Sequence, residues 1–413
     1  MRAVGEAVDR SMSTPTTPGA AQRSATHTPH LGLALLALAT GGFAIGTSEF
    51  VAMGLLPQVA DGVDVSIPRA GHTISAYALG VVVGAPVLAF LGARLPQRGL
   101  LVGLMLAFAV GNAASALASG YDLLVVARFA SGLPHGAYFG VASLVAAGLA
   151  PPHRRGFAVA MVMIGLSVAN VVGVPVATWM GQNLGWRSAF ALVTVLALLT
   201  VALLLSVVPA SPGDPAATGR RELTAFARPQ VWLTLLAGAI GFGGMFAVYS
   251  YIAPTVTEVG GLAESAVPLF LLSFGVGMVA GTWLAGHLAD WSVFRSLLGS
   301  SVGLAGILGM FFLATPYGWL ALPVAFLVAV AGSVLVVNLQ LRLMQVAGDA
   351  RTLGAALNHA SLNIANALGA WLGGLVIAAG HGYRAPAVVG IVLSLAGFLV
   401  LVASARLHLR RRR

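Results

Sequence analysis

Long apolar runs, each near the roughly 20 residues that a helix needs to cross a bilayer, recur from residue 31 almost to the end of the 413-residue chain. They fall at about 31–56, 70–92, 99–119, 123–150, 157–181, 187–208, 230–254, 266–288, 296–314, 318–343, 353–379 and 384–406. This pattern predicts an all-α membrane protein with twelve transmembrane helices. A β-barrel is excluded, because the runs are too long and do not alternate apolar with polar residues. The polar stretches between the runs are short, with one exception. Residues 209–229, "PASPGDPAATGRRELTAFARP", carry three prolines before a basic end and read as a linker between two halves, 31–208 and 230–406. Residues 1–30, rich in Ser, Thr and Pro, are expected to be a disordered tail, and residues 407–413 a basic one.

Composition agrees with the pattern. The chain is 58% hydrophobic and 8% charged, with a mean hydropathy of +0.92, well outside the range of soluble domains. It has no cysteine, hence no disulfide framework and no thiolate metal site. No His/Asp/Glu spacing resembles a metal site either.

Charge then sets the orientation. All 22 basic residues are Arg, and the net charge is +10. Placing both termini in the cytoplasm puts Arg2, Arg10, Arg23, Arg94, Arg98, Arg154, Arg155, Arg220, Arg221, Arg228, Arg295, Arg342, Arg351, Arg406 and Arg410 to Arg413 inside. Only Arg69, Arg187 and Arg384 fall outside, and Arg128 lies within a span. Eighteen against three satisfies the positive-inside rule. A basic surface facing anionic lipid, rather than a nucleic-acid site, is the expectation. The location that follows is a plasma membrane, of the bacterial inner type, crossed many times.

The two halves repeat each other. "LGWRSAF" (184–190) matches "HGYRAPA" (381–387), so Trp186 pairs with Tyr383 and Arg187 with Arg384 at an offset of 197. Pro57 and Pro254 differ by the same 197, as do Arg98 and Arg295. Asn170 and Gly173 face Asn366 and Gly369 at 196. A duplicated six-helix unit explains a shared offset over such distances.

Several motifs carry a resemblance. "RFASGLPHG" (128–136) fits an R-x-x-x-G-x-x-x-G pattern in the fourth span, and "GLSVANVVGVPVATWMG" (165–181) is a glycine- and proline-rich fifth span. With "GTSEFVAMGLLP" (46–57) and "LPHGAYFGVASLV" (133–145), the chain resembles the major facilitator superfamily, in particular the drug:proton antiporter branch that holds arabinose-type sugar effluxers and chloramphenicol-resistance exporters. The resemblance implies two pseudo-symmetric six-helix bundles that alternate access to a central cavity. It also implies proton coupling through the fourth-span motif, and a fifth span (Gly165, Asn170, Gly173, Pro175, Gly181) that seals the cavity. The superfamily's signature between the second and third spans survives only as "AFLGARLPQR" (89–98), with Ala93 at the aspartate position, whereas "GHLADWSVFR" (286–295) keeps Gly286, Asp290 and Arg295. A cytoplasmic gate of Arg94, Arg98, Gly286, Asp290 and Arg295 is expected, weighted toward the second copy.

Within the spans, Glu49 is the residue that most needs a reason. An ionised carboxylate deep in a bilayer is costly unless paired, hydrated or protonated. Glu49 and Arg128 lie at similar depth, about 10–12 Å below the outer surface at 1.5 Å per residue. Glu49 is therefore expected to titrate under the influence of Arg128, or else to form with it a permanent ion pair clamping two helices. The repeat-equivalent positions are Phe246 and Ala325, so coupling belongs to the N-terminal half. His135, two turns beyond Arg128, either relays protons or bonds a neighbouring helix, and His72 and His359 are weaker candidates. Small residues at 165, 169, 173, 177 and 181 make a close-packing stripe; Pro175 is expected to bend it. Tyr249, Tyr251, Asn338, Asn358, Asn363 and Asn366 are candidates for a substrate cavity suited to a neutral or amphipathic solute, or for interhelical hydrogen bonds.

The sequence thus predicts a monomeric secondary transporter of a small organic solute, a proton-coupled exporter that needs a proton gradient and no cofactor. A sugar or metabolite importer or an uncoupled facilitator is the alternative. A membrane sensor or intramembrane enzyme belongs to a different class, and no nucleophile with its base and no metal-ligand set supports an enzyme. A P-loop is impossible without lysine.

Overall fold

The structure is a computed structural model that describes residues 31–92, 95–210, 228–347 and 351–410. The expected N-terminal tail, most of the linker, Arg94 and Arg411 to Arg413 lie outside the described residues. All regular secondary structure in the described residues is helical. We label the spans α1 (Leu31–Gly54), α2 (Ile67–Gly92), α3 (Gln97–Leu117), α4 (Tyr121–Leu149), α6 (Arg187–Val207), α10 (Ala321–Ala347), α11 (Arg351–Val376) and α12 (Ala385–Arg410). Helix α12 runs on to Arg410, into the stretch expected as a basic tail.

The remaining spans are interrupted, each for a local reason. Helix α5 comprises Arg155–Val168, a π turn over Ala169–Gly173 and Val174–Leu184. The bend expected at Pro175 is this π turn, in which Val174 N–H donates to Ala169 O five residues back. Helix α7 comprises Pro229–Gly241, Gly243–Tyr249 and Ile252–Pro254, so the seventh span is three short helices where one was expected. It breaks beside "GFGG" (241–244), where the chain has little side-chain support for a helix. Val267–Ala314 would be about 70 Å long if straight, twice a bilayer. Ser292 (φ −173°, ψ 110°) breaks it into α8 (267–291) and α9 (293–314).

Two six-helix bundles result, and they are pseudo-symmetric. In one, α2 packs on α4, α1 on α5 and α6, and α3 on α6; in the other, α8 packs on α10, α7 on α11 and α12, and α9 on α12. The close crossings match residue by residue. Gly80 lies under the Phe129 carbonyl and Gly84 under that of Leu133; Gly277 and Gly281, 197 residues on, lie under those of Phe326 and Val330. The arginines repeat as well. Arg187 Nη2 donates to Ala118 O at 2.9 Å, near the end of α3, and Arg384 Nη2 donates to Phe312 O at 2.8 Å, near the end of α9.

A Cβ at Gly84 would sit 2.0 Å from Leu133 O, a backbone atom that cannot swing aside. Gly84→Val should therefore push α2 from α4 and cost about 1–3 kcal/mol or more. Gly99 has nothing within 4 Å, so Gly99→Ala should leave the unfolding midpoint unchanged. Thermal unfolding in detergent compares the two.

Candidate functional site between the two bundles

The bundles meet along two seams, α2 on α11 and α5 on α8. Hydrogen bonds between them cluster toward the face opposite the termini. Gln58 Nε2 donates to Glu264 Oε2 at 2.8 Å and Gln182 Nε2 to Glu264 O at 2.9 Å, both exposed. Nearer mid-depth, Ser75 Oγ donates to Ala367 O at 3.1 Å. Toward the termini no hydrogen bond joins the bundles among the described residues. Residues 50–63 and 174–190 share one continuous core with the second bundle, whereas the terminal side of the first bundle has a core of its own. The assembly is thus closed on the face opposite the termini. Replacing Glu264 by Ala should raise the reactivity of cysteines placed along that seam about two- to tenfold by removing one hydrogen bond. Thiol labelling measures it.

Arg128 lies behind this closed face and is 1% exposed. Its guanidinium lies over the Tyr77 ring at 4.3 Å and the Phe190 ring at 5.2 Å. Its edge is spent on α1: Nη1 donates to Ser48 Oγ and Nη2 to Ser48 O, each at 3.1 Å. Ser48 Oγ donates in turn to Asn112 Oδ1 at 2.6 Å, and Asn112 Nδ2 to Phe108 O at 2.9 Å. Arg128 therefore ties α1, α2, α4 and α6 together and lends α3 a polar link. No salt bridge joins it to Glu49 among the described residues. Glu49 is one residue on from Ser48, so its side chain leaves α1 about 100° further round. It turns toward the second bundle.

Glu49 is 6% exposed. The groups it senses are Arg128 and Tyr77 from its own bundle and Tyr249 and Asn366 from the other. Next to it, Phe50 meets Tyr249 edge-on at 5.7 Å and Phe246 at 6.4 Å, and Tyr249 stacks on Phe274 at 4.2 Å. The carboxyl thus sits where the bundles touch, in an aromatic wall. One layer toward the termini, Tyr77 Oη and His135 Nδ1 are 3.0 Å apart, which binds α2 to α4. Phe139 lies against His135 at 5.4 Å and stacks on His359 of α11 at 6.1 Å.

The other candidates divide by place. On α11, His359, Asn363 and Asn366 follow at i, i+4 and i+7, one face of a helix. Asn363 Nδ2 donates to His359 O at 3.0 Å and Asn338 Nδ2 to Val334 O at 2.9 Å. The side-chain oxygens of Asn338, Asn358, Asn363 and Asn366 are buried without a partner among the described residues. Tyr251 stands apart: its hydroxyl donates to Ala370 O at 2.7 Å, and it fills the space over Gly71 and Gly374 in the seam. On α5, Gly165 and Gly173 face α1 at Ala39 and Thr47, and Gly181 meets Leu55 just beyond its end, while the Asn170 backbone meets Gly275 of α8. The expected gate is not assembled among the described residues. Arg98 bonds Leu205 O within its own bundle, Arg295 lies over Trp291 at 5.4 Å, Asp290 is exposed, and Gly286 has open space beside it.

Ser48, Tyr77, Asn112, Phe139 and Phe190 were not singled out from sequence. Ser48 and Asn112 carried a signal, as polar residues in apolar runs; the three rings carried none.

The family model described as the Major Facilitator Superfamily matches residues 38–357. The chain belongs to the Major Facilitator Superfamily. The inner membrane transport protein YdhP of Escherichia coli K12 is 41% identical over 376 residues, which is 90% of this chain and 96% of that protein. The chloramphenicol resistance protein of Streptomyces lividans is 38% identical over 262 residues, 62% of this chain and 67% of that one. Among solved structures, a bacterial homologue of the human lysosomal transporter Spinster, inward-facing and unoccupied, superposes with a TM-score of 0.74 at 17% identity, covering 92% of this chain and 98% of that one. This superfamily member is a multi-pass membrane transporter, not an enzyme.

Proposed function

We propose that the chain is a proton-coupled exporter of a small neutral or amphipathic organic solute, with both termini in the cytoplasm of a bacterial inner membrane. The observation that carries this is Glu49, a buried carboxyl at the meeting surface of the two bundles that has no salt bridge among the described residues. A group so placed changes surroundings whenever the bundles rock, and its affinity for a proton changes with them. Arg128 cannot give up its own proton; it keeps a fixed positive charge nearby while Nη1 and Nη2 stay on Ser48.

With the termini inside, the closed face is the outer one. Export is supported by the name of the chloramphenicol resistance relative and by the "RFASGLPHG" and fifth-span motifs. A neutral or amphipathic solute suits Tyr249, Phe50, Phe274 and the amide oxygens of α10 and α11 that lack a partner among the described residues.

Everted membrane vesicles with an inside-acid gradient and a pH-sensitive dye test the proposal. Adding a transported drug or sugar should collapse part of the gradient as protons exchange for solute. Solute movement without any dye response would replace the exporter with a facilitator.

A further inference from the structure

Four buried asparagines show how an amide behaves inside these helices. Asn170, Asn338 and Asn363 each donate Nδ2 to the carbonyl four residues back, at 3.0, 2.9 and 3.0 Å. This is the local solution for a side chain that cannot reach water. Asn366 does not use it. It is 1% exposed, and neither its Nδ2 nor its Oδ1 has a hydrogen-bond partner among the described residues. No hydrogen bond ties its amide to its own helix, and the Glu49 carboxyl of the other bundle lies within its interaction range.

The pseudo-symmetry explains the exception. Asn366 is the repeat of Asn170 (170 + 196), and Glu49 is the repeat of Phe246 (246 − 197). Symmetry therefore sets a phenylalanine where a carboxyl would face Asn170, and that amide bonds its own helix. Only the pair of α1 and α11 sets a carboxyl against the amide. The neighbouring stretch of α11 is pinned, since Ala367 O accepts from Ser75 of α2 and Ala370 O from Tyr251. Any change in the Asn366–Glu49 distance is thus a change in the seam.

We propose that Asn366 is a positioning residue that couples the charge of Glu49 to closure of the outer seam. The ionised Glu49 carboxylate accepts a hydrogen bond from Asn366 Nδ2 and holds the empty carrier shut to the outside. This rests on Glu49 being the proton-carrying group. A charge-assisted hydrogen bond is about twice as strong as a neutral one, so protonation weakens the hold. Solute entering from the cytoplasm competes for the same carboxylate or amide and releases it. An exporter needs such a device, because an empty, ionised carrier that reoriented would let solute flow without protons. The charged and titratable groups facing Glu49 are Arg128 from α4, Tyr77 from α2 and Tyr249 from α7; α5, α6 and α11 present none to it among the described residues.

The chain has no native cysteine, so spin labels at Asp61→Cys and Ser265→Cys, both exposed at the outer face, report the seam distance in the full-length protein in lipid nanodiscs without solute. From about pH 5 to about pH 10 the wild-type closed-to-open ratio should rise about tenfold, the difference between a neutral and a charge-assisted bond. Asn366→Leu should flatten that dependence, and Asn366→Gln should restore part of it. If the leucine variant fails to fold, Asn366→Ala is read in the same way. A leucine variant with the wild-type pH dependence, or one with closure lowered equally at every pH, overturns the proposal while leaving Glu49's role intact. Glu49→Gln with the wild-type pH dependence overturns both.

Discussion

Glu49→Gln should lower gradient-driven solute efflux on the order of 10- to 100-fold, the range spanned by typical coupling energies, while solute exchange with no gradient stays within a few-fold of wild type. Glutamine matches the shape of a protonated glutamate and keeps a donor and an acceptor for Asn366 and Tyr249, so the bundles can still rock with solute bound. What it cannot do is release a proton. The pH profile separates this from a damaged fold. In wild type, lowering the internal pH keeps Glu49 protonated on the cytoplasmic side and stalls the cycle, so flux falls; in the glutamine variant this dependence disappears. Stability moves the other way. Glu49 is buried without a salt bridge among the described residues, and an unpaired charge is costly to bury, so with a neutral isostere the thermal midpoint should hold or rise. A variant that still drives uphill efflux and still answers to pH would remove Glu49 from the proton path.

The fold was legible because two of its signals are repeated. Apolar runs of bilayer length marked the spans, and even the turn between α8 and α9 falls in the gap expected at 288–296, where Ser292 breaks the helix. The 197-residue offset was read from loop landmarks such as Arg187 and Arg384, and it governs the glycine crossings at Gly80, Gly84, Gly277 and Gly281. The site was legible only in part. Glu49 and Arg128 announce themselves as charges in apolar runs, and equal depth suggests a pair. Depth says nothing of rotation about α1, and one residue of rotation hands the guanidinium to Ser48 and turns the carboxyl to Asn366. Tyr77 and Phe190, whose rings both lie against Arg128, look like any other aromatic residue in a span. The breaks in α7 escaped too, since glycines in a membrane helix usually mark close packing rather than an interruption.

Arg128→Lys should harm the protein more than its retained charge suggests. The guanidinium lies over the Tyr77 ring and reaches Ser48 with two nitrogens, one to the hydroxyl and one to the carbonyl. A lysine ammonium is a compact point charge that cannot reproduce the stacked, two-pronged geometry. One Ser48 contact is lost, and the Ser48–Asn112 bond loses its support, for about 1–3 kcal/mol. Unlike Glu49→Gln, the lysine variant should lower the thermal midpoint and reduce gradient-free exchange as well as driven efflux. Whether Arg128 also acts on Glu49 through space is a separate matter, which a neutral variant decides. If the guanidinium only clamps α1 to α4, Arg128→Gln lowers the thermal midpoint and leaves the pH at which efflux falls unchanged. If its charge also sets the proton affinity of Glu49, Arg128→Gln moves that pH upward, because a carboxyl without the neighbouring positive charge holds its proton more tightly, while Arg128→Lys, which keeps the charge, leaves it near wild type. The proposed coupling requires the second result, because a carboxyl that ignored the neighbouring guanidinium would lack the fixed positive charge that favours proton release on the cytoplasmic side.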